Sequence, residues 1–267
     1  MRALAPLLLA LILAQPARAH EFWISPEAYE IPPGGQIIAE LRVGEKLKGA
    51  GYPYIPKRTA RFEILQGTQQ IDPDAQLGDR PALNREMPEA GLAIVVHETA
   101  DNRLKYRDWK KFVAFTDHKD FAWAQEAHGA RGLPETGFVE TYRRYGKSLV
   151  AVGDGDGSDR VVGLDTEIVA LANPYTDDLA EGLPVRVLHL GAPRSDVQVE
   201  LFARAPDGSV AVSLHRTDAE GMTILPMDPG TEYLVDSVII EALEPSAEGD
   251  PVWHTLWASL TFRTPES

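Results

Sequence analysis

The histidine at position 20 has the most specific chemical potential in this chain. Residues 1–19 contain Arg2, an apolar run over Leu4–Ala14 and the small-residue cleavage site Ala17-Arg18-Ala19. This organisation is typical of a cleaved secretory signal peptide. Cleavage after that sequence gives His20 a free α-amine. The amine and the Nδ1 atom of the same residue can then chelate one metal ion, and a second histidine completes the three-nitrogen arrangement called a histidine brace.

Such a site favours particular metals. Amine and imidazole nitrogens suit Cu(II) and Ni(II), and the ligand type places Cu(II) first. The amine must lose its proton to bind, and its ordinary pKa is roughly 7.7–8.0, so the affinity should rise with pH.

The remaining ligands must come from elsewhere in the chain, which has seven histidines and no cysteine. His97 ends an apolar strand, and His128 lies in a segment rich in glycine and charged residues. We predict that His20, His97 and His128 bind the metal, with His118 in reserve. The alternative for each of the last three is an ordinary surface or hydrogen-bonded histidine. The acidic segment that starts at Asp154 begins like a calcium-binding EF-hand loop. Its sixth position is Asp159 where the sharp turn requires Gly, and the bidentate Glu is absent, so a turn-rich linker is the favoured interpretation.

Composition excludes several classes of function. The chain of 267 residues has a formal net charge of −14, and its predicted leader contains two arginines and no acid, so the mature chain would be still more acidic. Nucleic acid and anionic lipid would repel such a surface. The absence of cysteine rules out disulfides and thiolate sites. No later stretch reaches the roughly 20 apolar residues of a spanning helix, which predicts a periplasmic protein without stable membrane insertion.

Short β-strands must position these residues. Runs rich in Val, Ile, Leu and Thr alternate with polar positions and are separated by Gly and Pro every 8–12 residues or so, a pattern typical of antiparallel sandwiches. The clearest runs are Gly35–Val43, Arg61–Leu65, Leu92–His97, Ser148–Val152, Leu183–Leu190, Asp196–Phe202, Val210–His215, Tyr233–Ile240 and Trp253–Phe262. We therefore predict a mainly β protein made of two antiparallel β-sandwich domains.

The region from about 106 to 145 differs because it has many charged and aromatic residues and few Val or Ile. We predict helices over 106–116 and 117–130, and a further helix or extended segment over 137–145. The acidic, glycine-rich segment 153–159 resembles a linker. The predicted division is a signal peptide over 1–19, an N-terminal sandwich with the helical insertion over 20–158, and a C-terminal sandwich over 159–267. Turn motifs in the second half give it a prealbumin-like or collagen-adhesin B-type pattern.

Several motifs, in order along the chain, resemble an exported family called domain of unknown function 4198, also known as NikM-like. They are His20-Glu-Phe-Trp-Ile-Ser-Pro26, Val43-Gly-Glu45, Gly91–His97, Glu140–Lys147, Leu171-Ala-Asn-Pro-Tyr175 and Trp257–Phe262. The resemblance implies transition-metal handling in the cell envelope and adds nickel or cobalt as candidate ions. By position it carries over His20 with Trp23 and Pro26, and Arg143, Tyr145 and Lys147 match a basic-aromatic motif of unstated role.

The expected function is therefore a periplasmic transition-metal-binding protein that acts in metal uptake or homeostasis, with no catalytic residues. An envelope transporter or receptor is the expected protein partner. Two alternatives remain open at this stage. One is an enzyme of the copper-monooxygenase kind, which also uses a histidine brace. The other is a metal-free adhesion or receptor-accessory module built from two sandwiches.

Overall fold

The computed structural model describes residues 20–266, so the predicted signal peptide over 1–19 lies outside the described residues. The structure is mainly β, with two short helices. The strands of the first half are β1 (Glu21–Pro26), β2 (Glu30–Ile31), β3 (Gly35–Glu45), β4 (Lys48–Tyr52), β5 (Thr59–Gln66), β6 (Gln69–Ile71), β7 (Leu83–Met87), β8 (Gly91–Thr99), β9 (Asn102–Lys105) and β10 (Val139–Val152).

Between β9 and β10 lie the helices α1 (Trp109–His118) and α2 (Trp123–Ala130). The second half contributes β11 (Thr166–Ala170), β12 (Leu183–His189), β13 (Ala192–Pro193), β14 (Gln198–Arg204), β15 (Val210–Arg216), β16 (Met222–Leu225), β17 (Glu232–Ala242) and β18 (Pro251–Arg263). A short 3-10 turn over Pro56–Arg58 precedes β5.

These strands form three sheets. The central sheet has the order β15-β14-β17-β18-β10-β8-β5-β6, with β2 and β9 also paired to β10. The N-terminal sheet contains β1, β3, β4 and β7, and the C-terminal sheet contains β11, β12, β13 and β16. Strand pairs are antiparallel except that β10 runs parallel to β18 and to β2.

The two smaller sheets cover opposite faces of the central sheet, as β8 shows. Successive side chains of a strand point to opposite faces. Leu92, Ile94 and Val96 belong to the core beneath the C-terminal sheet, whereas Ala93 and Val95 belong to the core beneath the N-terminal sheet. Because both faces are buried, β8 is an unbroken apolar run rather than an alternating one.

The helices pack beside the N-terminal sheet, on the same face of the central sheet. Asp108 caps α1 by accepting a hydrogen bond from the backbone nitrogen of Lys110 at 3.0 Å, a usual helix start. Phe112 and Phe115 point into a core that also contains Trp253 and Trp257 of β18. The predicted mainly β, sandwich-like fold with a helical insertion is confirmed. The segment 137–145, left open as helix or extended, belongs to strand β10.

The structure does not follow the predicted division at residue 158. Strands β10 and β18 come from the two predicted domains but pair over ten residue positions at the middle of one sheet, and the largest core draws residues from both halves. The supposed linker is packed rather than free. The Asn173 side-chain amide donates to the carbonyl oxygens of Gly155 and Gly157 at 2.9 and 3.0 Å. The glycines of this segment serve tight turns with positive φ angles, which a sequence reading mistakes for flexibility.

Among the described residues, no helix combines the length and the apolar character needed to cross a membrane.

Candidate functional site

His20 is exposed and immediately precedes β1. Its carbonyl oxygen accepts a hydrogen bond from Arg144 Nη2 at 3.4 Å, while its ring makes no hydrogen bond within residues 20–266. The residue borders two depressions. The hairpin groove runs along the β3–β4 connection and includes Glu45 and Lys48, and the basic pocket lies on the other side, next to α1. His20 is therefore the one predicted ligand whose ring is free to bind within the described chain.

His97 does not contribute to a surface site. Its side chain is buried between Phe22 and Phe62, with ring centroids 5.4 and 5.1 Å away. The Thr59 hydroxyl donates to the Ile55 carbonyl oxygen, so His97 Nε2 must donate to Thr59 Oγ1 at 3.3 Å. Burial lowers the pKa of His97 to about 3. The predicted ligand is a neutral core residue, enclosed by aromatic side chains.

His128 is also unsuited to bind a metal, because both ring nitrogens are committed. Trp253 Nε1 donates to Nδ1 at 3.0 Å, which leaves Nε2 as the protonated nitrogen that donates to the Pro134 carbonyl oxygen at 3.1 Å. Burial lowers the pKa of His128. The ring packs against Phe138 at an interplanar angle of 57°, with centroids 4.4 Å apart. The role of His128 is to join α2 to β18.

His118, the reserve ligand, is partly exposed at the end of α1, with Nε2 2.9 Å from Glu200 Oε1. The structure therefore does not bring His20, His97, His118 and His128 together. Within residues 20–266, no group of three or more His, Asp or Glu side chains is arranged to hold a metal ion. The predicted set of His20, His97 and His128 is therefore corrected. His97 and His128 are buried in the core, where they contact residues distant in the sequence.

A buried ionic cluster that the sequence analysis missed lies beside His118. Lys119 Nζ is 3.3 Å from Glu21 Oε1, 2.6 Å from Glu200 Oε2 and 2.8 Å from Asp236 Oδ2. We call these four residues the Lys119 cluster. The ammonium group occupies the point where the three carboxylates converge, so Lys119 fills the position that a cation would otherwise take. The only sequence signal is the placement of Glu21, Glu200 and Asp236 inside apolar strands.

The carboxyl groups of the Lys119 cluster have pKa values that are shifted in different directions. Burial raises the pKa of Glu21 to about 7, against the opposing attraction of Lys119. Burial also raises the pKa of Asp236. For Glu200, burial acts in the same direction, but hydrogen bonds from His118 and Lys119 outweigh it and lower the pKa. The attraction of the three carboxylates outweighs desolvation and raises the pKa of Lys119. The cluster ties the start of β1, and hence His20, to α1, β14 and β17.

The basic-aromatic motif on β10 faces the other side of the sheet. Tyr145 OH donates to Asp165 Oδ2 at 2.8 Å, and Arg143 Nε donates to Asp101 Oδ1 at 2.8 Å. Lys147 Nζ is buried, 2.7 Å from Asp159 Oδ1 and 3.0 Å from Glu167 Oε1. The Tyr145 and Lys147 contacts fasten the central sheet to β11 and the segment before it, and the Arg143 contact ties β10 to the turn between β8 and β9. The motif is therefore structural within the described chain.

Comparison with known proteins identifies the family. The model of the family described as "Domain of unknown function (DUF4198)" matches residues 17–241. The chain belongs to DUF4198. The match spans His20, the Lys119 cluster and Arg144 of this DUF4198 chain, whereas β18 (Pro251–Arg263) lies beyond the matched residues.

The other comparisons add little about this DUF4198 protein. A search of curated proteins found no match. One crystal structure, described as the tetra-tandem repeat in the extending region of a large adhesion protein, is similar over 91% of this chain at 10% identity, with a TM-score of 0.21. The similarity covers 49% of that chain, about half its length. At this TM-score the likeness supports no argument about fold or function.

Proposed function

We propose that the mature protein binds a transition-metal cation in the periplasm through His20, and acts in metal uptake or homeostasis. The ligands are the α-amine and Nδ1 of His20, released by cleavage after residue 19, and the carboxylate of Glu45. The observation that carries the proposal is the position of His20, which is exposed at the edge of the N-terminal sheet with its ring unengaged within residues 20–266.

Glu45 replaces the histidine partners that the sequence suggested. Strand β1 pairs with β3 in the register Glu21 to Gly44, so the next step along the ladder puts His20 opposite Glu45. Residues directly opposite in an antiparallel pair have their side chains on the same face. Both residues also line the hairpin groove. Two nitrogens and one carboxylate oxygen can come from these two residues, without a three-residue cluster.

The donor set favours Cu(II), with Ni(II) and Co(II) next, because amine and imidazole nitrogens with an oxygen ligand suit tetragonal coordination. The formal net charge of −14 raises the local concentration of cations around the protein. Binding displaces the proton of the α-amine, so the affinity should increase as the pH rises through roughly 7.7–8.0. Delivery to an envelope transporter or receptor would be the biological purpose.

The decisive experiment compares two preparations by calorimetry and electron paramagnetic resonance with Cu(II), and by calorimetry with Ni(II). One preparation begins at His20, and in the other the His20 amine is acetylated. We expect the authentic terminus to bind at least about tenfold more tightly, since acetylation turns the amine into an amide that cannot ligate without losing its proton. Equal affinity in the two preparations would contradict the proposal.

The Glu45 assignment has its own test on the authentic terminus. Glu45→Gln should weaken Cu(II) binding and change the paramagnetic resonance spectrum, because the carboxylate oxygen is a ligand. Glu86→Gln is the matched control, since Glu86 is an exposed acid on β7 of the same sheet and does not line the groove. An unchanged spectrum in Glu45→Gln would remove Glu45 from the site and leave His20 as a two-nitrogen chelate.

A further inference from the structure

The basic pocket is enclosed by the β9–α1 connection, β10, β18 and His20. Its volume is about 280 Å³, near the lower limit of the ~300–1,000 Å³ typical of small-molecule sites. Four cationic residues line it: Lys105, Arg107, Lys111 and Arg144. Among residues 20–266, Glu140 is the only acid in its lining. The protein carries a formal net charge of −14, so a pocket lined mainly by cations differs in charge from the protein as a whole.

The four cations have no counterions in the described structure. Within residues 20–266, no carboxylate oxygen lies within 4.0 Å of a side-chain nitrogen of Lys105, Arg107, Lys111 or Arg144. Lys105, Arg107 and Lys111 are exposed around the mouth, where water solvates them. Arg144 differs from these three residues because it is half-buried.

Arg144 is held in place without being neutralised. It stacks on the ring of Tyr142, with its guanidinium carbon 4.9 Å from the ring centroid. Its Nη2 makes the 3.4 Å hydrogen bond to the His20 carbonyl oxygen, and its Nε is buried with no partner within residues 20–266. Burial lowers the pKa of the Arg144 guanidinium. A buried, unpaired charge is costly unless an anion accompanies it.

Glu140 does not supply that anion. Its Oε2 accepts a hydrogen bond from Tyr106 OH at 2.7 Å, and its Oε1 accepts one from the Thr255 hydroxyl. Both carboxyl oxygens are therefore hydrogen-bonded to other groups, and burial raises the pKa of Glu140 although the charge of Arg144 acts to lower it. The positive charge of Arg144 consequently remains available to a ligand that enters the pocket.

The remaining walls are flat and largely apolar. The rings of Phe115 and Trp257 stack with centroids 5.6 Å apart, and Tyr142 and Leu104 complete the lining. We propose that the basic pocket binds a small organic anion, an aromatic carboxylate, whose carboxylate pairs with the Arg144 guanidinium and whose ring packs against these aromatic walls. A planar guanidinium matches a carboxylate through two parallel hydrogen bonds. The inference does not depend on metal binding, because neither the His20 amine nor a metal ion takes part.

The test is calorimetric titration of the purified mature protein, kept metal-free with a chelator. The probes are benzoate, its neutral analogue benzamide, acetate and inorganic phosphate. We expect benzoate to bind at least about tenfold more tightly than benzamide, since the amide carries no charge for Arg144. Acetate and phosphate should also bind more weakly than benzoate, because neither can contact the aromatic walls. This expected order of affinities can be measured on the wild-type protein alone.

Variants then locate the site. Arg144→Gln should abolish benzoate binding, and Lys111→Gln should weaken it modestly by lowering the potential at the mouth. Arg42→Gln is the matched control: Arg42 lies on a strand, and its Nε is also buried without a partner in the described chain, but it is paired with Glu40 at 2.6 Å and lies outside the pocket. Because Arg144 has no ion pair to lose, Arg144→Gln should keep or raise the melting temperature.

Three results would each overturn the inference. They are no detectable binding of benzoate by the wild-type protein, equal or tighter binding of benzamide or phosphate, and equal loss of binding in Arg144→Gln and Arg42→Gln. Since the protein is metal-free in this experiment, these outcomes bear on the pocket and leave the proposed metal site to its own test.

Discussion

At the scale of the residue, the same side chain serves different purposes according to what surrounds it. His20 is exposed with its ring unengaged in the described chain, whereas His128 has both ring nitrogens committed. His97 is neutral because aromatic rings replace water around it. The type of a residue thus limits the chemistry that it can perform, and its neighbours decide whether that chemistry is possible.

His97 should make the protein sensitive to acid. Its folded pKa of about 3 lies below the ordinary value of 6.5, so its contribution to stability is complete above pH 6.5 and is lost as the pH falls towards 3. The slope from this group is up to ~1.4 kcal/mol per pH unit. We expect His97→Leu to flatten the acid side of a plot of unfolding free energy against pH, measured by urea denaturation. The prediction is contradicted if the unfolding free energy of His97→Leu falls as steeply below pH 6.5 as that of the wild type.

At the scale of the element, β10 shows how one strand serves two surfaces. Arg143, Tyr145 and Lys147 anchor the C-terminal side of the central sheet, whereas Arg144 lies on the opposite side, in the basic pocket. Strand β1 is likewise anchored at more than one residue. Trp23 is fully buried, and Glu21 belongs to the Lys119 cluster, which fixes the position of the exposed His20 just before the strand.

The Lys119 cluster predicts a pH effect of opposite sign. The folded pKa of Glu21 is raised from the ordinary value of 4.5 to about 7, so its contribution favours folding below pH 4.5 and is lost as the pH rises through 7. Glu21→Gln should therefore match the wild type near pH 4.5 and melt at a higher temperature near pH 7. Differential scanning calorimetry at several pH values measures this. A melting temperature that falls as much with pH in the variant as in the wild type would refute the assignment.

Much of the element pattern is predictable from the sequence, and much of the site is not. Runs rich in Val, Ile, Leu and Thr identified strands such as β17 and β18, and the shift to charged and aromatic residues identified the helical region. His128, however, meets Trp253 across 125 positions of sequence, and Lys119 meets carboxylates from three distant strands. Such contacts depend on the order of strands in the sheet, which local periodicity does not encode. The adjacent arginines 143 and 144 likewise give no signal of which one lies in a pocket.

At the scale of the whole molecule, a shared central sheet replaces the two separate sandwiches that the sequence suggests. Strand β10 lies between β8 of the first half and β18 of the second half. The core beneath the C-terminal sheet includes Leu92 and Ile94 together with Val185 and Leu260. The core beneath the C-terminal sheet is therefore incomplete in either half alone, whereas the core beneath the N-terminal sheet lies within the first half.

This architecture predicts that residues 20–158 do not fold as an isolated fragment. The fragment exposes the β10 edge and the apolar side chains of β8 that the C-terminal sheet covers, and such surfaces promote aggregation. We expect poor solubility and no cooperative thermal transition by circular dichroism, while the whole chain unfolds in one transition. A soluble fragment with a sharp melting transition would restore the division into two independent domains.

The parallel pairing of β10 with β18 also has a consequence for the way in which the molecule is made. β18 (Pro251–Arg263) follows every other described strand in the sequence, yet it occupies the middle of the central sheet, between β10 and β17. A chain that emerges from its N-terminus, from a ribosome or through a translocation pore, has β10 in place about a hundred residues before its neighbour arrives. The sheet must therefore close after synthesis is nearly complete, as non-local strand pairing is slow. The Thr261 hydroxyl of β18 donates to the Ile24 carbonyl oxygen of β1 at 2.8 Å, so β1, which carries Glu21 beside His20, gains this support only after the last strand is inserted.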